Sequence, residues 1–165
     1  MTSIIRDIRM ATHITIAATE QTRKSLQSQF HSHCHACGMP GSGGLDLHFV
    51  TDSDGNVATD WFCPGNCQSY EGILHGGVIA TLLDSAMVHA LFARGIVAHT
   101  AELRVRYRRP VRIENSVRVT ACTQSHTGPL HLTSATLIQD GVPCATARAK
   151  FMAVPSSAAL PEGLF

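Results

Sequence analysis

One segment of the chain carries residue types suited to acyl chemistry: His75-Gly76-Gly77, followed by an apolar run that ends at Asp84. Adjacent glycines opening such a run put unpartnered backbone N–H groups at the positive end of a helix. Lacking a Cβ, glycine lets an electrophile approach those N–H groups, which suits a clamp on a carbonyl oxygen. Asp84 falls about two helical turns further along. A single carboxylate among apolar neighbours must find a partner or resist ionisation. Beside a carbonyl clamp it can serve acyl transfer, as a nucleophile or as the base for a water. The same residues have an architectural alternative, in which the glycines permit close packing and Asp84 bonds a neighbouring strand.

A second constellation is rich in sulfur and imidazole. The chain has six cysteines and ten histidines, half of them between His31 and Cys67. The run His31-Ser32-His33-Cys34-His35-Ala36-Cys37 contains a C-x2-C pair, a spacing found in metal knuckles; Cys63 and Cys67 follow it. Cys122 and Cys144 sit in strand patterns and read as core. His89 follows the polar stripe of the apolar run, and His131, like most other histidines, shows no ligand spacing. A third constellation is basic: Arg104, Arg106, Arg108, Arg109, Arg112 and Arg118. Guanidinium forks suit phosphates. Arg104 and Arg106 read as a solvated sheet face with carboxylate partners such as Glu102 and Glu114. Arg108 and Arg109, beside Pro110, are the candidate phosphate contacts.

The elements that must position these groups follow from periodicity. Residues 19–30 fit a short helix. Leu45, Leu47 and Phe49 alternate with polar positions, and residues 57–62 return after the Asp52-Ser53-Asp54-Gly55 turn, so a first hairpin is expected. Residues 76–94 form one helix, apolar nearly all round, which places it inside the protein. Its polar stripe is Thr81, Asp84 and Ser85. After Gly95 the pattern is all strand: 100–107, with Ala101, Leu103, Val105 and Tyr107 on one face, then 116–123, 130–139 and 142–152. Turns at Thr127-Gly128-Pro129 and Asp140-Gly141 predict an antiparallel meander for these four. The class is α+β, an antiparallel β-sheet wrapped around one long central helix. In that topology Cys37 precedes the first hairpin and Cys63 ends it, so antiparallel pairing could bring their thiolates to one tetrahedral zinc. The alternative is a set of small buried residues bracing an irregular loop.

Composition narrows the functions. The 165 residues suit one domain. Charged residues are 15% and the net charge is +1, which argues against a bulk-basic nucleic-acid binder and against charge-driven disorder. So little charge fits a subunit that hides surface in an oligomer. The apolar stretch 76–98 is broken by Asp84, His89 and Arg94, so no membrane span is expected. No apolar signal core opens the chain, and a cytoplasmic protein with reduced thiols is expected. The expected organisation is a lead-in over 1–30, a single domain over 31–155 and a tail over 156–165. No Gly-x-Ser-x-Gly elbow and no dinucleotide or P-loop spacing is present.

The segments Gly72-Ile73-Leu74-His75-Gly76-Gly77, Leu83-Asp84 and 100–110 resemble the PaaI-type hotdog-fold acyl-CoA thioesterases, over roughly residues 44–152. The resemblance implies a hotdog domain acting as a homodimer or a dimer of dimers, with acyl-CoA (or acyl-carrier protein) as substrate and no cofactor required for catalysis. It implies that the Gly77 N–H polarises the thioester carbonyl and that Asp84, from the other subunit, is base or nucleophile. His75 would shape the helix entrance together with Gly76, and Thr100 would position the water. Many relatives carry Asn where this chain has Ser69; neighbouring Gln68 can fill the same polar role. Relatives with a similar lead-in match His31, Cys34, Cys37 and Cys63 as the ligand set of a structural zinc, with Cys67 spare or replacing one of them. The competing expectations are a non-catalytic acyl-CoA-binding or regulatory hotdog protein, and a metal-dependent interaction module.

Overall fold

The computed structural model describes residues 19–38, 41 and 43–154. The expected tail and residues 1–18 of the lead-in lie outside the described residues. Helix α1 is Glu20–Phe30, with the Thr19 hydroxyl oxygen accepting the Thr22 N–H at 2.9 Å as N-cap. Strands β1 (Val50–Thr51) and β2 (Val57–Phe62) precede a 3-10 turn at Gly65–Cys67 and helix α2 (Gly76–Phe92). Strands β3 (Ala98–Tyr107), β4 (Ser116–Thr127), β5 (Leu130–Gln139) and β6 (Val142–Ala153) follow. They form one antiparallel sheet in the order β1-β2-β4-β5-β6-β3.

The sheet curls around α2, which packs on β2, β3, β4, β5 and β6. The reason lies in two complementary surfaces. Helix α2 buries Leu82, Leu83, Ala86, Met87, Ala90 and Leu91. The inner faces of β4 to β6 bury Val117, Val119, Ala135, Leu137, Ala145, Ala147, Ala149 and Phe151. Four of those positions are alanine, which leaves room for a helix backbone to come close. The β5–β6 turn holds Asp140 at φ 52° and Gly141 at φ 75°, the two positive angles of a tight type I′ hairpin.

Three expectations are corrected. The first hairpin pairs only Val50 and Thr51 with β2. Upstream, Asp46 has φ 50°, and the backbone is spent elsewhere: the Leu45 and Leu47 N–H groups donate to the carbonyls of His35 and Ala36. The last four strands are not a meander, because β3 crosses to the far side of β6 and becomes an edge of the sheet. Cys122, expected in the core, is only half-buried and lies beside the Ser134 hydroxyl at 3.4 Å.

Two details of β3 matter for the site. It is an edge strand, and His99, Thr100, Ala101, Arg106 and Tyr107 are exposed. It also carries a bulge: Thr100 faces Phe151 and Glu102 faces Lys150, so Ala101 is an extra residue.

Candidate active site

His75 is the N-cap of α2, and its Nδ1 accepts the Gly77 N–H at 2.9 Å. A Cβ on Gly77 would stand 3.0 Å from that nitrogen and 3.1 Å from Cε1. Glycine at 77 is thus what lets the imidazole fold over the first turn. The amide expected to be open to a carbonyl is engaged by the chain's own ring, so an incoming oxygen must displace His75 or share the N–H. Gly76 is the first residue of the helix, and its N–H lacks an intrahelical acceptor. The two glycine carbonyls are taken by hydroxyls: Tyr107 donates to Gly76 O at 2.8 Å and Thr81 to Gly77 O at 3.0 Å.

Asp84 is half-buried on the same helix. Burial pushes its carboxyl above the usual range, opposed in part by the Thr100 hydroxyl, which donates to Oδ1 at 2.9 Å. This contact depends on the bulge. Strict alternation with Leu103, Val105 and Tyr107 would turn Thr100 to the outer face. The extra residue Ala101 sets it opposite buried Phe151 instead, on the side of α2. The tie from Asp84 to a neighbouring strand is the architectural alternative made concrete, and it also holds a proton-hungry carboxylate in a fixed place.

Gln68 and Ser69 brace the loop that delivers His75. The Gln68 side-chain oxygen accepts the Gly72 N–H at 3.2 Å, and the Ser69 N–H donates to Ile73 O at 2.8 Å. Arg108 and Arg109 are exposed just past β3, their N–H groups held by Cys144 O at 2.8 and 3.1 Å. Their side chains have no ion-pair partner among the described residues, whereas Arg104 pairs with Glu102 at 3.2 Å.

The Cys/His constellation resolves into two parts. His31, Cys34 and Cys37 present ligand atoms all within 4.8 Å of one another. Cys63, the fourth residue of the expected set, is not part of this group. Segment 45–47 bonds to 35–36 through its backbone, and the Trp61 indole reaches Leu45 O at 2.8 Å from the opposite side. The charge that Cys63 feels is that of Cys67, and burial holds its thiol up at about 12.

Sequence reasoning missed one cluster. Arg23, only 2% exposed, is gripped by both Glu20 carboxylate oxygens at 2.6 and 3.0 Å, by Gln27 at 2.8 Å, and meets His89 Nδ1 at 3.1 Å. His89 is fully buried, stacked on Phe49 with centroids 4.2 Å apart. The signal was present as a cation on a short helix and a histidine on an otherwise apolar one.

The family model of the thioesterase superfamily matches residues 71–128, from the loop before His75 to the end of β4. No curated protein matches the chain. Among solved structures, a thioesterase superfamily protein is 28% identical with TM-score 0.66, over 70% of this chain and 60% of that one. The chain thus spans less than two thirds of that relative's length. A Streptococcus mutans UA159 protein solved bound to acetyl-CoA is 17% identical with TM-score 0.62, over 66% of this chain and 88% of that one. The E. coli PaaI protein from the phenylacetic acid degradation operon is 15% identical with TM-score 0.68, over 81% and 94%. The chain has the hotdog fold of the thioesterase superfamily. The PaaI-related structures, one of them 23% identical and the other 15%, share this fold with the chain. Among the described residues no helix is long and apolar enough to cross a membrane.

Proposed function

We propose that the chain hydrolyses acyl thioesters, with coenzyme A or an acyl-carrier protein as the thiol carrier. The observation that carries this reading is Asp84: a half-buried carboxylate with raised proton affinity, fixed by Thr100 on the helix that His75-Gly76-Gly77 opens. In the reaction the thioester oxygen takes the Gly77 N–H as His75 yields it, aided by Gly76. Asp84 attacks the carbonyl carbon, or removes a proton from a water that Thr100 helps to place. The carbon–sulfur bond then breaks. In the base route the thiolate takes the proton that Asp84 removed from the water, and the free acid forms directly. In the nucleophilic route the thiolate takes a proton from solvent, the acyl group stays on Asp84 as a mixed anhydride, and water hydrolyses it to restore the carboxylate. Arg108 and Arg109 supply guanidinium heads for the carrier's phosphates. A Streptococcus mutans protein of the same fold was solved bound to acetyl-CoA, which supports that carrier.

Helix geometry then favours a site shared by two copies. Gly77 and Asp84 are seven residues apart, on the same face and about 10.5 Å apart along the axis. A reacting carbon must lie about 3–3.5 Å from its nucleophile, with its oxygen about 3 Å from a clamp donor. One helix cannot satisfy both, whereas a second helix running the other way can bring its Asp84 to the first one's Gly77. The exposed edge of β3, beside Thr100 and Tyr107, offers the surface for such a homodimer or a dimer of dimers.

A second reading, acyl-CoA binding without turnover, is favoured by one observation: the Gly77 N–H is already satisfied by His75. Thiol release from a panel of acyl-CoAs and acyl-carrier proteins separates the two. Hydrolysis that disappears in Asp84→Asn supports the first. Saturable binding without thiol release, unchanged in Asp84→Asn, supports the second.

A further inference from the structure

The His31, Cys34 and Cys37 group lies outside the acyl site and is not used by it. It is built by short-range structure. His31 closes α1, its N–H donating to Gln27 O at 2.8 Å. Two turns follow, in which the Cys34 N–H donates to His31 O at 3.0 Å and the Gly38 N–H to Cys34 O at 2.8 Å. A Cβ at position 38 would stand 2.5 Å from Cys34 O, so only glycine closes the second turn. The Gln27 side-chain amide fixes the Cys37 carbonyl at 2.7 Å. These bonds aim three donors at one point.

The donor set and its spacing can be tested against a metal ion. Two sulfurs and one imidazole, with no carboxylate, form a soft to borderline set that suits zinc. With zinc–sulfur about 2.3 Å and zinc–nitrogen about 2.0–2.1 Å, tetrahedral angles put the sulfur and nitrogen about 3.6 Å apart. The Cys37 sulfur and His31 Nδ1 are 3.5 Å apart, and all three donor atoms fall within 4.8 Å.

We propose that His31, Cys34 and Cys37 bind one zinc ion, with the fourth position open to solvent and Cys63 taking no part, and that the ion fastens α1 to α2. The opening follows from burial: Cys37 is buried, while His31 and Cys34 are only half-buried. The fastening follows from contacts. The His31 ring meets Phe92 edge-on at 4.9 Å and His89 at 6.4 Å, both on the last turn of α2. Arg23 reaches His89 from the first turn of α1. Fixing His31 fixes the end of α1 on that surface. This inference does not rest on the acyl chemistry, and its test does not use activity.

The test is Co²⁺ titration of the full chain, stripped by chelator and kept reduced. The expected result is a thiolate-to-cobalt charge-transfer band that saturates at one equivalent and is displaced by Zn²⁺. Cys34→Ser should lose the band's intensity and weaken affinity at least about tenfold; His31→Ala should weaken affinity likewise. Cys63→Ser should leave band and stoichiometry unchanged. Hydrogen exchange of the amides of Glu20–Phe30 should slow when Zn²⁺ is added. Because Cys37→Ser alters a buried position, half-buried Cys34 carries the test if that variant fails to fold. A reduced protein that gives no band at one equivalent overturns the proposal. So does a Cys63→Ser loss equal to that of Cys34→Ser, or an α1 exchange rate that zinc leaves unchanged.

Discussion

Replacing Asp84 by Asn keeps the shape of the side chain and the Oδ1 acceptor for the Thr100 hydroxyl, now 2.9 Å away, but removes the base. General-base or nucleophilic work of this kind is worth about 10²–10⁴ in rate, or about 2.7–5.4 kcal/mol. The fold should not suffer. Burial raises the Asp84 carboxyl, so the charged form is penalised in the folded state at neutral pH, and a neutral amide removes that penalty. Asp84→Asn is therefore expected to lose at least about a hundredfold in kcat/KM with a Tm equal to or above the parent's. Thr100→Ala removes one hydrogen bond to a charged group in a solvent-accessible place, at the low end of about 1.5–3 kcal/mol, or about tenfold in rate. If Thr100 acts through Asp84, the double variant should be no slower than Asp84→Asn alone. Thiol release under first-order conditions, with thermal melts on the same samples, measures all four corners of the cycle. The reasoning is refuted by a well-folded Asp84→Asn that keeps more than a tenth of the parent activity. Equal losses from Thr100→Ala in the two backgrounds would refute the coupling.

The acid limb of kcat/KM should lie above pH 3.8, the ordinary value for this carboxyl, because burial raises Asp84; Thr100→Ala should move that limb higher still, read from a pH–rate profile. Mixing Gly77→Pro chains with Asp84→Asn chains should restore about a quarter of the parent sites if each site draws on two subunits of a symmetric dimer, whereas no recovery after subunit exchange would place both groups in one chain. Glu20 is held down from 4.5 to about 2, chiefly by Arg23, so its contribution to stability is full above its unfolded value and is lost as pH falls through its folded one; Glu20→Gln should flatten the urea-midpoint profile between about pH 5 and 2. A Cβ at Gly44 would stand 1.8 Å from the His35 carbonyl oxygen, and Gly44→Ala should destabilise by about 3 kcal/mol or more, seen as loss of a cooperative melt.

What the sequence disclosed depended on whether the information was local. The apolar run of α2 and the alternation of β4 to β6 are local patterns, and the buried rows Leu82 to Leu91 and Ala145 to Phe151 follow them. The Asp140-Gly141 turn was legible because its backbone angles need those residue types. Strand order was not, since Leu103 and Val105 look the same beside β4 or beside β6. The first hairpin was overstated because alternation at Leu45 and Leu47 signals a buried row, not the partner to which their N–H groups are committed. In the candidate site, His75, Gly77 and Asp84 were legible as types at a spacing. The imidazole folded back on the Gly77 amide was not, because it depends on a rotamer. The C-x2-C pair and His31 were legible as a spacing, and they meet within 4.8 Å because the turns that join them are local.

The extra residue in β3 gives Thr100 its meaning by counting. Its hydroxyl faces Asp84 because two steps along β3 correspond to one step along β6. Deleting Ala101 would restore a regular ladder with Thr100 next to Glu102, still opposite Phe151 and still facing Asp84, whereas drawing Ala101 into the ladder opposite Phe151 would swing the hydroxyl to the far side of the sheet. Fold and activity are thus written in different alphabets, the first in residue types and the second in strand register. A change that irons the bulge flat could silence the site while leaving a well-packed protein, and an alignment scored on residue identity alone would register the threonine as retained.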